Sequence, residues 1–531
     1  MRDFQAGGRS AAFGDRGMVA TSHPEASLAA LEQLRAGGNA VDAALAAVST
    51  LCVVEPHMTG IGGDCFVLYC PAGGPKAGQV IALNGSGRAP SAMTSDFLLE
   101  QGITEIDYQS AHAVTVPGAV DAWCRLHETF GSRPLDALFA RAIDLGENGY
   151  RVLPRVALDW GDNVERLMVD ANAPKVFLPD GKAPLAGDRH QQPALAQTLR
   201  TIAAKGRAGF YEGAVAEDIV TTLRALGGVH SLEDFEAQIG EFVEPISSLY
   251  RGYRIHECPP NGQGIVALMI LNQMSGLGFD GELSELDRVH LLAEATKLGY
   301  ASRNCFVADP AKVDVPVEQL LSEGYADKLR QQIKADSALD TFDTDLPEHK
   351  DTVYLSVVDR DGNAISFINS IFEAFGSTRL APESGVMLHN RGASFRVSND
   401  HPNGIAPGKR PMHTIIPGMV TRDGKAVMPF GVMGGHYQAT GHANFLSRVI
   451  DEGMDIQQAM ERPRSFASDG GLKIETGYDE ALYRGLAARG HKVAWADRPI
   501  GGSQAIWIDQ ERGVLIGGSD PRKDGCALGL L

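Results

Sequence analysis

Apolar positions recur at helical spacing in the first part of the chain. The segment SLAALEQLRAGGNAVDAALAAVSTLCVV follows this pattern, which is typical of helices packed on a core. Gly37 and Gly38 interrupt it, so we predict one helix before the glycine pair and another after it. The apolar run from Ala40 to Val54 carries Asp42 and is shorter than the roughly 20 residues that span a bilayer, which predicts a core helix.

Strands and helices follow in the middle of the chain. The β-rich runs CFVLYC and GQVIAL flank AGGPKAG and predict a hairpin with a long loop. Residues from about 130 to 245 are predicted to be mostly helical. YRGYRIHEC predicts one short strand, and a long helical pattern extends from Ile265 to about Asn304. The polar stretch DTFDTDLPEHKD predicts an exposed loop or a processing segment.

Hairpins dominate from residue 352 onward. TVYLSVVD and AISFINS flank the turn residues RDGN, IIPGMV and AVMPFGVM flank Asp423-Gly424, and AIWID and GVLIGG flank Glu511–Gly513. Helices are predicted near residues 439–461 and 479–489. Helix-rich and hairpin-rich regions in one chain predict an α+β fold, with antiparallel sheets covered by helices.

The first of these hairpins brings two hydroxyl side chains together. A two-residue turn at Asp361-Gly362 pairs Asp359 with Ala364 and Val353 with Ser370. Thr352 then lies at the open end of the hairpin, close to the Ser370 hydroxyl.

Composition narrows the possible functions. The chain has 531 residues, a length that suggests two to four domains, and a formal net charge of −18. That charge argues against a nucleic-acid or anionic-membrane partner, although a local basic pocket for a small anion is compatible with it. The seven cysteines have no CxxC spacing and indicate free thiols in a reducing compartment. The N-terminal residues contain no apolar segment, so we expect no secretory signal and a cytoplasmic protein.

Two positions suggest acyl-transfer chemistry. A threonine hydroxyl needs an adjacent base, and a cut before Thr352 would create an α-amino group with a pKa near ~8. Gly434-Gly435 ends a predicted strand, where free backbone N–H groups could form an oxyanion hole. Each position also has an ordinary structural explanation. Thr352 could simply be a threonine that begins a strand, and Gly434-Gly435 could be a bulge or a turn.

Other motifs are absent or incomplete. Gly60–Asp64 lacks the third glycine of a dinucleotide fingerprint and precedes a strand, so we reject nucleotide binding. No HExxH, P-loop or nucleophile-elbow motif occurs. The histidines, His413, His436 and His442 among them, lack metal-site spacing. We therefore predict neither a metal nor a cofactor.

Several segments, read together, resemble the γ-glutamyltranspeptidase superfamily. They occur in family order from about Gly17 to Gly525 and are DAALAAVSTLCVVEPHMTGIGGDCFVLY, TVPGAVDAW, YRGYRIHECPPNGQG, DTVYLSVVDRDGNAIS, APGKRPMHTIIP, FGVMGG and GGSDPRKDG. The resemblance implies an N-terminal nucleophile hydrolase with a four-layer αββα sandwich, made as one chain and cut autocatalytically.

The resemblance also implies a role for individual residues. It places the nucleophile at Thr352 and the cut between Asp351 and Thr352, which gives a large subunit of residues 1–351 and a small subunit of residues 352–531. Ser370 matches the hydroxyl residue that positions the nucleophile. Gly434 and Gly435 match the oxyanion-hole pair.

Departures from the family pattern point to the substrate. The family's substrate-carboxylate arginine aligns with a serine, with Arg88 two residues later, and Arg391 is a second nearby cation. The acidic residue that binds an α-amino group falls on Ser394, and the asparagine beyond Ser370 is Phe372. The family's serine pair is His413-Thr414, which we retain as substrate-binding candidates, and Phe395 to Lys409 is too short for the lid loop.

These departures predict a small acid amide without an α-amine as substrate. The pattern resembles the oxamate amidohydrolase branch, which acts in purine breakdown. Two alternatives stay open: a γ-glutamyl hydrolase or transpeptidase acting on glutathione or related amides, and an unprocessed, non-catalytic binding protein. The expected partners are the small-molecule amide and the chain's own two subunits, a heterodimer that could itself dimerise.

Overall fold

The protein folds into two large sheets that pack face to face, with helices on both outer faces. The computed structural model describes residues 7–339 and 352–531. The predicted processing segment DTFDTDLPEHKD, including Asp351, lies outside these residues. The α+β prediction is confirmed: helix, sheet, sheet and helix form four layers.

The strands are short and mostly antiparallel. In chain order the described strands are β1 (Ala12–Gly14), β2 (Gly17–Thr21), β3 (Asp64–Cys70), β4 (Ile81–Gly85), β5 (Tyr150–Arg151), β6 (Arg189–His190), β7 (Glu241–Val243), β8 (Ile246–Tyr250), β9 (Tyr253–Glu257), β10 (Val353–Asp359), β11 (Ala364–Ser370), β12 (Leu380–Ala381), β13 (Val386–Met387), β14 (Gly418–Arg422), β15 (Lys425–Met433), β16 (Ser465–Ser468), β17 (Gly471–Ile474), β18 (Val493–Trp495), β19 (Gly502–Asp509), β20 (Val514–Ser519) and β21 (Cys526–Leu530).

Helices make up the outer layers. In chain order the described helices are α1 (Pro24–Arg35), α2 (Ala40–Val54), α3 (Ser95–Glu100), α4 (Ala119–Phe130), α5 (Leu135–Asn148), α6 (Pro154–Gly161), α7 (Val164–Leu167), α8 (Ala173–Phe177), α9 (Pro193–Lys205), α10 (Ala208–Tyr211), α11 (Ala214–Ala225), α12 (Leu232–Glu236), α13 (Gly264–Met274), α14 (Glu285–Phe306), α15 (Val317–Leu320), α16 (Glu323–Arg330), α17 (Tyr437–Ile450), α18 (Ile456–Glu461) and α19 (Glu480–Ala488). None of these described helices is long and apolar enough to cross a bilayer.

The strand order mixes the two halves of the chain. Sheet 1 has the order β21–β2–β10–β11–β3–β4–β7, and sheet 2 has the order β1–β20–β19–β15–β14–β9–β8. Both sheets therefore contain strands from before and after residue 352, and in each sheet strands of one part lie between strands of the other. The apolar layer between the sheets includes Phe66, Tyr354, Ile368, Met419 and Met433.

Strand alternation decides which side chains reach this inner layer. On β10, Val353 and Leu355 belong to the core under the helices, whereas Tyr354 belongs to the layer between the sheets. Side chains two residues apart share a face. Thr352 and Ser370 have the parity of Tyr354 and Ile368, so both point toward sheet 2.

The predicted break between the first two helices is confirmed. α1 ends at Arg35 and α2 begins at Ala40, after an Asn39 side chain that accepts from the N–H groups of Val41 and Asp42. The Asp42 carboxylate in turn accepts from the Asn39 N–H, which completes a capping box. α2 is buried along its whole length and ends at Val54.

Two predicted elements are interrupted in the structure. YRGYRIHEC is not one strand, because Arg251 and Gly252 have positive φ values of 50° and 83° and turn the chain between β8 and β9. The long helix predicted from Ile265 to Asn304 is two helices, α13 and α14. The chain between them contains Gly278, whose φ of 75° is incompatible with a continuing helix.

The register predicted for the β10–β11 hairpin is wrong by one residue. The structure pairs Val353 with Asn369 and Val358 with Ala364. The turn has three residues, with Gly362 at φ 86°, because the Asp359 carboxylate accepts from the backbone N–H groups of Asp361 and Asn363. A one-residue shift moves cross-strand neighbours to the other face, so it is the observed register that places the two hydroxyl side chains on one face.

Candidate active site

Thr352 is buried immediately before β10 and is held by two polar side chains. Its Oγ1 donates to Ser370 Oγ at 3.2 Å, and Gln438 Nε2, from the first turn of α17, lies 3.4 Å from Oγ1 as a donor. Continuing the observed register by one residue puts Thr352 opposite Ser370. The hydroxyl therefore has a fixed position between sheet 1 and the beginning of α17.

Ser370 ends β11 and also orients the residue that follows the strand. Its Oγ accepts from the N–H of Phe372 at 2.9 Å. Gly63 packs directly on the Ser370 backbone, since a Cβ at position 63 would lie 2.3 Å from the Ser370 carbonyl oxygen. The close approach explains why glycines are needed before Asp64.

Gly434, Gly435 and His436 form a turn between β15 and α17, which we name the glycine turn. Gly434 and Gly435 have positive φ values of 121° and 55°. Their carbonyl groups accept from the first N–H groups of α17, those of Tyr437 and Gln438. The turn thus leads into a helix N-terminus, where the helix dipole favours negative charge, and Gln438 connects it to Thr352.

Arg391 is a buried cation near the hydroxyl pair of Thr352 and Ser370. Its Nη1 donates to Thr414 Oγ1 at 2.7 Å, and its guanidinium lies 3.8 Å from the centre of the Phe372 ring. Burial lowers the pKa of Arg391 to about 9. Its Nη2 has no hydrogen-bond partner among residues 7–339 and 352–531.

Asp64 supplies negative charge near Arg391. Its Oδ1 accepts from the N–H groups of Gly87 and Gly118, and its Oδ2 lies 3.0 Å from His413 Nε2. Burial alone would raise the pKa of Asp64, but His389, His413 and Arg391 lower it to about 2. Burial lowers the pKa of His413 to about 3, so His413 is neutral at pH 7 and donates through Nε2.

Arg88 is occupied elsewhere. Its Nη2 forms an ion pair with Glu241 at 2.9 Å, and its Nη1 donates to the Ile239 carbonyl. Arg410 binds the other oxygen of the same carboxylate. Arg88 is therefore held in an ion pair at the β7 edge of sheet 1, whereas Arg391 keeps a donor without a described acceptor.

An open cavity lies beside the glycine turn and Phe372. It is lined by Thr104, Glu105, Tyr108, Arg303, Asn304, Val307, Phe372, Ala393, Ser394, Phe395, Arg396, Val397, His401, Asn403, Met412, His436 and Asp469. Ser394 lies on this wall, and its hydroxyl donates to the Arg391 carbonyl oxygen. Two of the departures from the family pattern, Phe372 and Ser394, thus both face the cavity.

Sequence reasoning missed several residues of this site. Asp64 belongs to the GIGGD segment, which served to exclude nucleotide binding and to support the family resemblance without giving Asp64 a role. The glycines directly before Asp64, which close packing requires, were the available signal. His389, Gln438 and Arg303 gave no local signal, because their partners are far away in sequence.

One cluster of possible metal ligands occurs among the described residues. His290 and Glu294 of α14 and His491 are buried, with their ligand atoms within 4.8 Å of one another. His290 Nδ1 lies 2.8 Å from His491 Nε2, and Glu294 pairs with Lys297 at 2.6 Å. These contacts match donors with acceptors and balance the carboxylate charge.

Known proteins are similar to this chain in sequence over nearly its full length. A family model described as gamma-glutamyltranspeptidase matches residues 26–530. The glutathione hydrolase-like YwrD proenzyme of Bacillus subtilis is 37% identical, covering 98% of this chain and 99% of its own length. The oxamate amidohydrolase proenzyme of Klebsiella pneumoniae is 34% identical, covering 97% and 98%.

A solved structure agrees with the architecture as a whole. The crystal structure of cephalosporin acylase from Bacillus halodurans superposes with a TM-score of 0.93 and 38% identity, covering 100% of this chain and 99% of that one.

Proposed function

The chain belongs to the γ-glutamyltranspeptidase family of autoprocessed amide hydrolases, and on that premise we propose that Thr352 cuts the chain and then hydrolyses an acid amide. The cut falls between Asp351 and Thr352 and gives subunits of residues 1–351 and 352–531. The proenzyme relatives support such maturation. The buried hydroxyl pair of Thr352 and Ser370 supports this choice of nucleophile.

After the cut, Thr352 carries both the nucleophile and its base. The new α-amino group, with a pKa near ~8, accepts the Oγ1 proton as Oγ1 attacks the substrate carbonyl. The C–N bond then breaks, the amine leaves with the proton, and an ester forms on Thr352. The α-amino group of Thr352 then deprotonates a water molecule, which hydrolyses the ester to the acid.

The glycine turn and two side chains assist this reaction. Backbone N–H groups at Gly434 and Gly435 stabilise the oxyanion, an effect that the adjoining helix N-terminus strengthens. Ser370 and Gln438 hold Oγ1 in place before attack. His413 stays neutral and fixes Asp64, whose charge stabilises Arg391.

The unsatisfied Nη2 of Arg391 is the observation that carries the substrate assignment. A buried guanidinium with an unused donor is unfavourable until an anion binds it. A carboxylate accepts two parallel hydrogen bonds from such a group. We assign the carboxylate on the acyl half of the substrate to Arg391, supported by Thr414, and not to Arg88.

No α-ammonium group is needed on that acyl half. Ser394 and Phe372 stand where the family has polar anchors, and the Phe372 ring covers Arg391. The substrates are therefore monoamides of dicarboxylic acids, of which oxamate is the smallest, hydrolysed to oxalate and ammonia. A relative that is named oxamate amidohydrolase supports this class. Cytoplasmic location, a role in purine breakdown and pairing of heterodimers remain predictions.

The second candidate is hydrolysis of γ-glutamyl amides. The glutathione hydrolase-like relative of Bacillus subtilis favours it. A panel of oxamate, longer acid monoamides and γ-glutamyl amides, assayed by release of ammonia or amine, separates the two candidates. Our proposal expects kcat/KM to be highest for an acyl group without an α-amine. A preference for the γ-glutamyl amides would replace it with the second candidate.

Arg391→Lys tests the anchor directly. Losing the paired donors should raise KM for the acid monoamide by about tenfold or more, since a hydrogen bond to a charged group contributes ~1.5–3 kcal/mol. Cleavage of the chain into subunits should be retained. Arg88→Lys is the matched control and should leave KM unchanged.

Thr414→Val provides a milder second variant, because it removes only the support of Nη1. If neither Arg391→Lys nor Thr414→Val changes KM in processed enzyme, the carboxylate assignment is wrong.

A further inference from the structure

The cavity beside the glycine turn is much larger than a small leaving group requires. Its volume is about 610 Å³. Ammonia, the leaving group of a primary amide, occupies about as much room as one water molecule, roughly 30 Å³ in the liquid. The cavity therefore has room for a substantial part of a substrate.

Arg303 of α14 brings a buried charge to this cavity. Its Nη1 donates to His436 Nδ1 at 2.7 Å and to Gln263 Oε1 at 3.0 Å, while its Nε and Nη2 donate to Asn304 Oδ1. None of these acceptors is anionic. Within the part of the chain that the structure describes, Arg303 forms no ion pair with a carboxylate, so its charge is uncompensated.

A second cation lines the same cavity. Arg396 is close enough that its charge, after the larger effect of burial, contributes to lowering the pKa of Arg303 to about 10. Glu105 and Asp469 are the acidic residues of the lining. Two arginines and two carboxylates therefore line the cavity, and Arg303 is the buried one of these charges for which the described residues supply no carboxylate partner.

Arg303 is also connected to the glycine turn. Gln263, which accepts from Arg303, donates through Nε2 to the carbonyl groups of Thr414 and Gly435. Arg391 is held by Thr414 and lies behind the Phe372 ring. A substrate with its acyl carboxylate on Arg391 and its carbonyl at the glycine turn would direct its amine half into the cavity.

We propose that this cavity is a leaving-group subsite in which Arg303 binds a carboxylate carried by the amine half of the substrate. The amide bond cleaved is then that of an N-acyl amino acid or a similar anionic amine, and primary amides such as oxamate are the smallest substrates. The direction of binding rests on the proposed role of Arg391. The preference of the cavity for an anion does not depend on that role.

Two matched substrates test the subsite. The acyl group that wild-type enzyme cleaves fastest in the amide panel is attached to glycine and to ethylamine, which differ mainly by the carboxylate. Wild-type kcat/KM should favour the glycine amide by about tenfold or more. Arg303→Gln should remove most of this preference. Any effect through the contact of Arg303 with His436 of the glycine turn acts on both substrates, so the ratio of the two kcat/KM values is the quantity to compare.

Gln263→Leu is the control for an indirect effect. It breaks the bond to the Gly435 carbonyl but retains the Arg303 charge, so both substrates should lose kcat/KM in the same proportion. If Arg303→Gln also lowers both in proportion, Arg303 only supports the glycine turn and the subsite is refuted. A wild-type enzyme without a preference for the glycine amide refutes it as well.

Inhibition of wild-type enzyme gives a second measurement that needs no variant. N-acetylglycine should compete with the ethylamide substrate, and N-ethylacetamide should not; equal inhibition by both contradicts the subsite. The comparison is always made within one acyl group. If γ-glutamyl proves to be the preferred acyl group, the proposed function fails while the result for Arg303 still stands.

Discussion

At the scale of single residues, Ser370 connects Thr352, the proposed nucleophile, to Arg391, the proposed substrate anchor. Phe372 has a φ of 80°, a left-handed conformation that is unfavourable for a phenylalanine. The Ser370 hydroxyl accepts the Phe372 N–H and stabilises this conformation, which places the ring over Arg391. The same hydroxyl contacts Thr352. A change at Ser370 would therefore disturb both the attack and the substrate carboxylate.

Gly434→Ala and Gly435→Ala test the oxyanion role. Both positions have positive φ, and a Cβ at Gly434 would lie 2.9 Å from the Gly501 Cα, so a methyl group must displace the turn. Losing one oxyanion donor reduces kcat by about 10²–10³, and we expect that loss in processed enzyme. Gly453→Ala is the control, because Gly453 has a φ of 65° but open space around it. Near-normal turnover in both site variants would show that the role is misassigned.

Candidate residues could be named from the sequence where a local pattern existed. Thr352, just before β10, and the glycine pair both became candidates through their position in the chain and the family resemblance. Arg391 and Arg88 could not be ranked from sequence, since the difference lies in Glu241, which forms an ion pair with Arg88 and not with Arg391. Asp64, Gln438 and Arg303 depend on contacts between distant segments, which a single sequence does not reveal.

At the scale of elements, the β10–β11 turn sets the geometry of the site. The Asp359 carboxylate accepts from the N–H groups of Asp361, Asn363 and Ala40 and from the Asn363 side chain. It therefore fixes the three-residue turn and attaches it to the N-terminus of α2. The sequence predicted both strands but chose a two-residue turn, because the Asp-Gly pair alone does not show what the preceding carboxylate binds.

Asp359→Ala should destabilise the protein and slow its maturation. Removing a buried acceptor of four hydrogen bonds leaves donors unsatisfied, for a loss of about 2–4 kcal/mol. A weakened turn also loosens the register that places Thr352 opposite Ser370. Thermal unfolding and the rate of chain cleavage measure the two effects. Asp361→Ala, in the same turn but exposed, should change neither; equal effects of both variants would contradict this account.

At the scale of the whole molecule, the two prospective subunits are interleaved. In sheet 1, β10 and β11 lie between β2 and β3, and in sheet 2, β14, β15, β19 and β20 lie between β9 and β1. A cut before Thr352 would leave these hydrogen-bonded strands in place. The four-layer fold was predictable from the order of hairpins and helices with the family resemblance, whereas the strand order came only from the structure.

The most direct measurement of the central claim is N-terminal sequencing of the purified protein, wild type beside Thr352→Ala. We expect wild type to give two subunits, the smaller beginning with Thr-Val-Tyr-Leu, and Thr352→Ala to give one uncut, inactive chain. A small subunit that begins elsewhere, an active uncut wild-type chain, or normal cleavage in Thr352→Ala would contradict the assignment of Thr352 as the nucleophile.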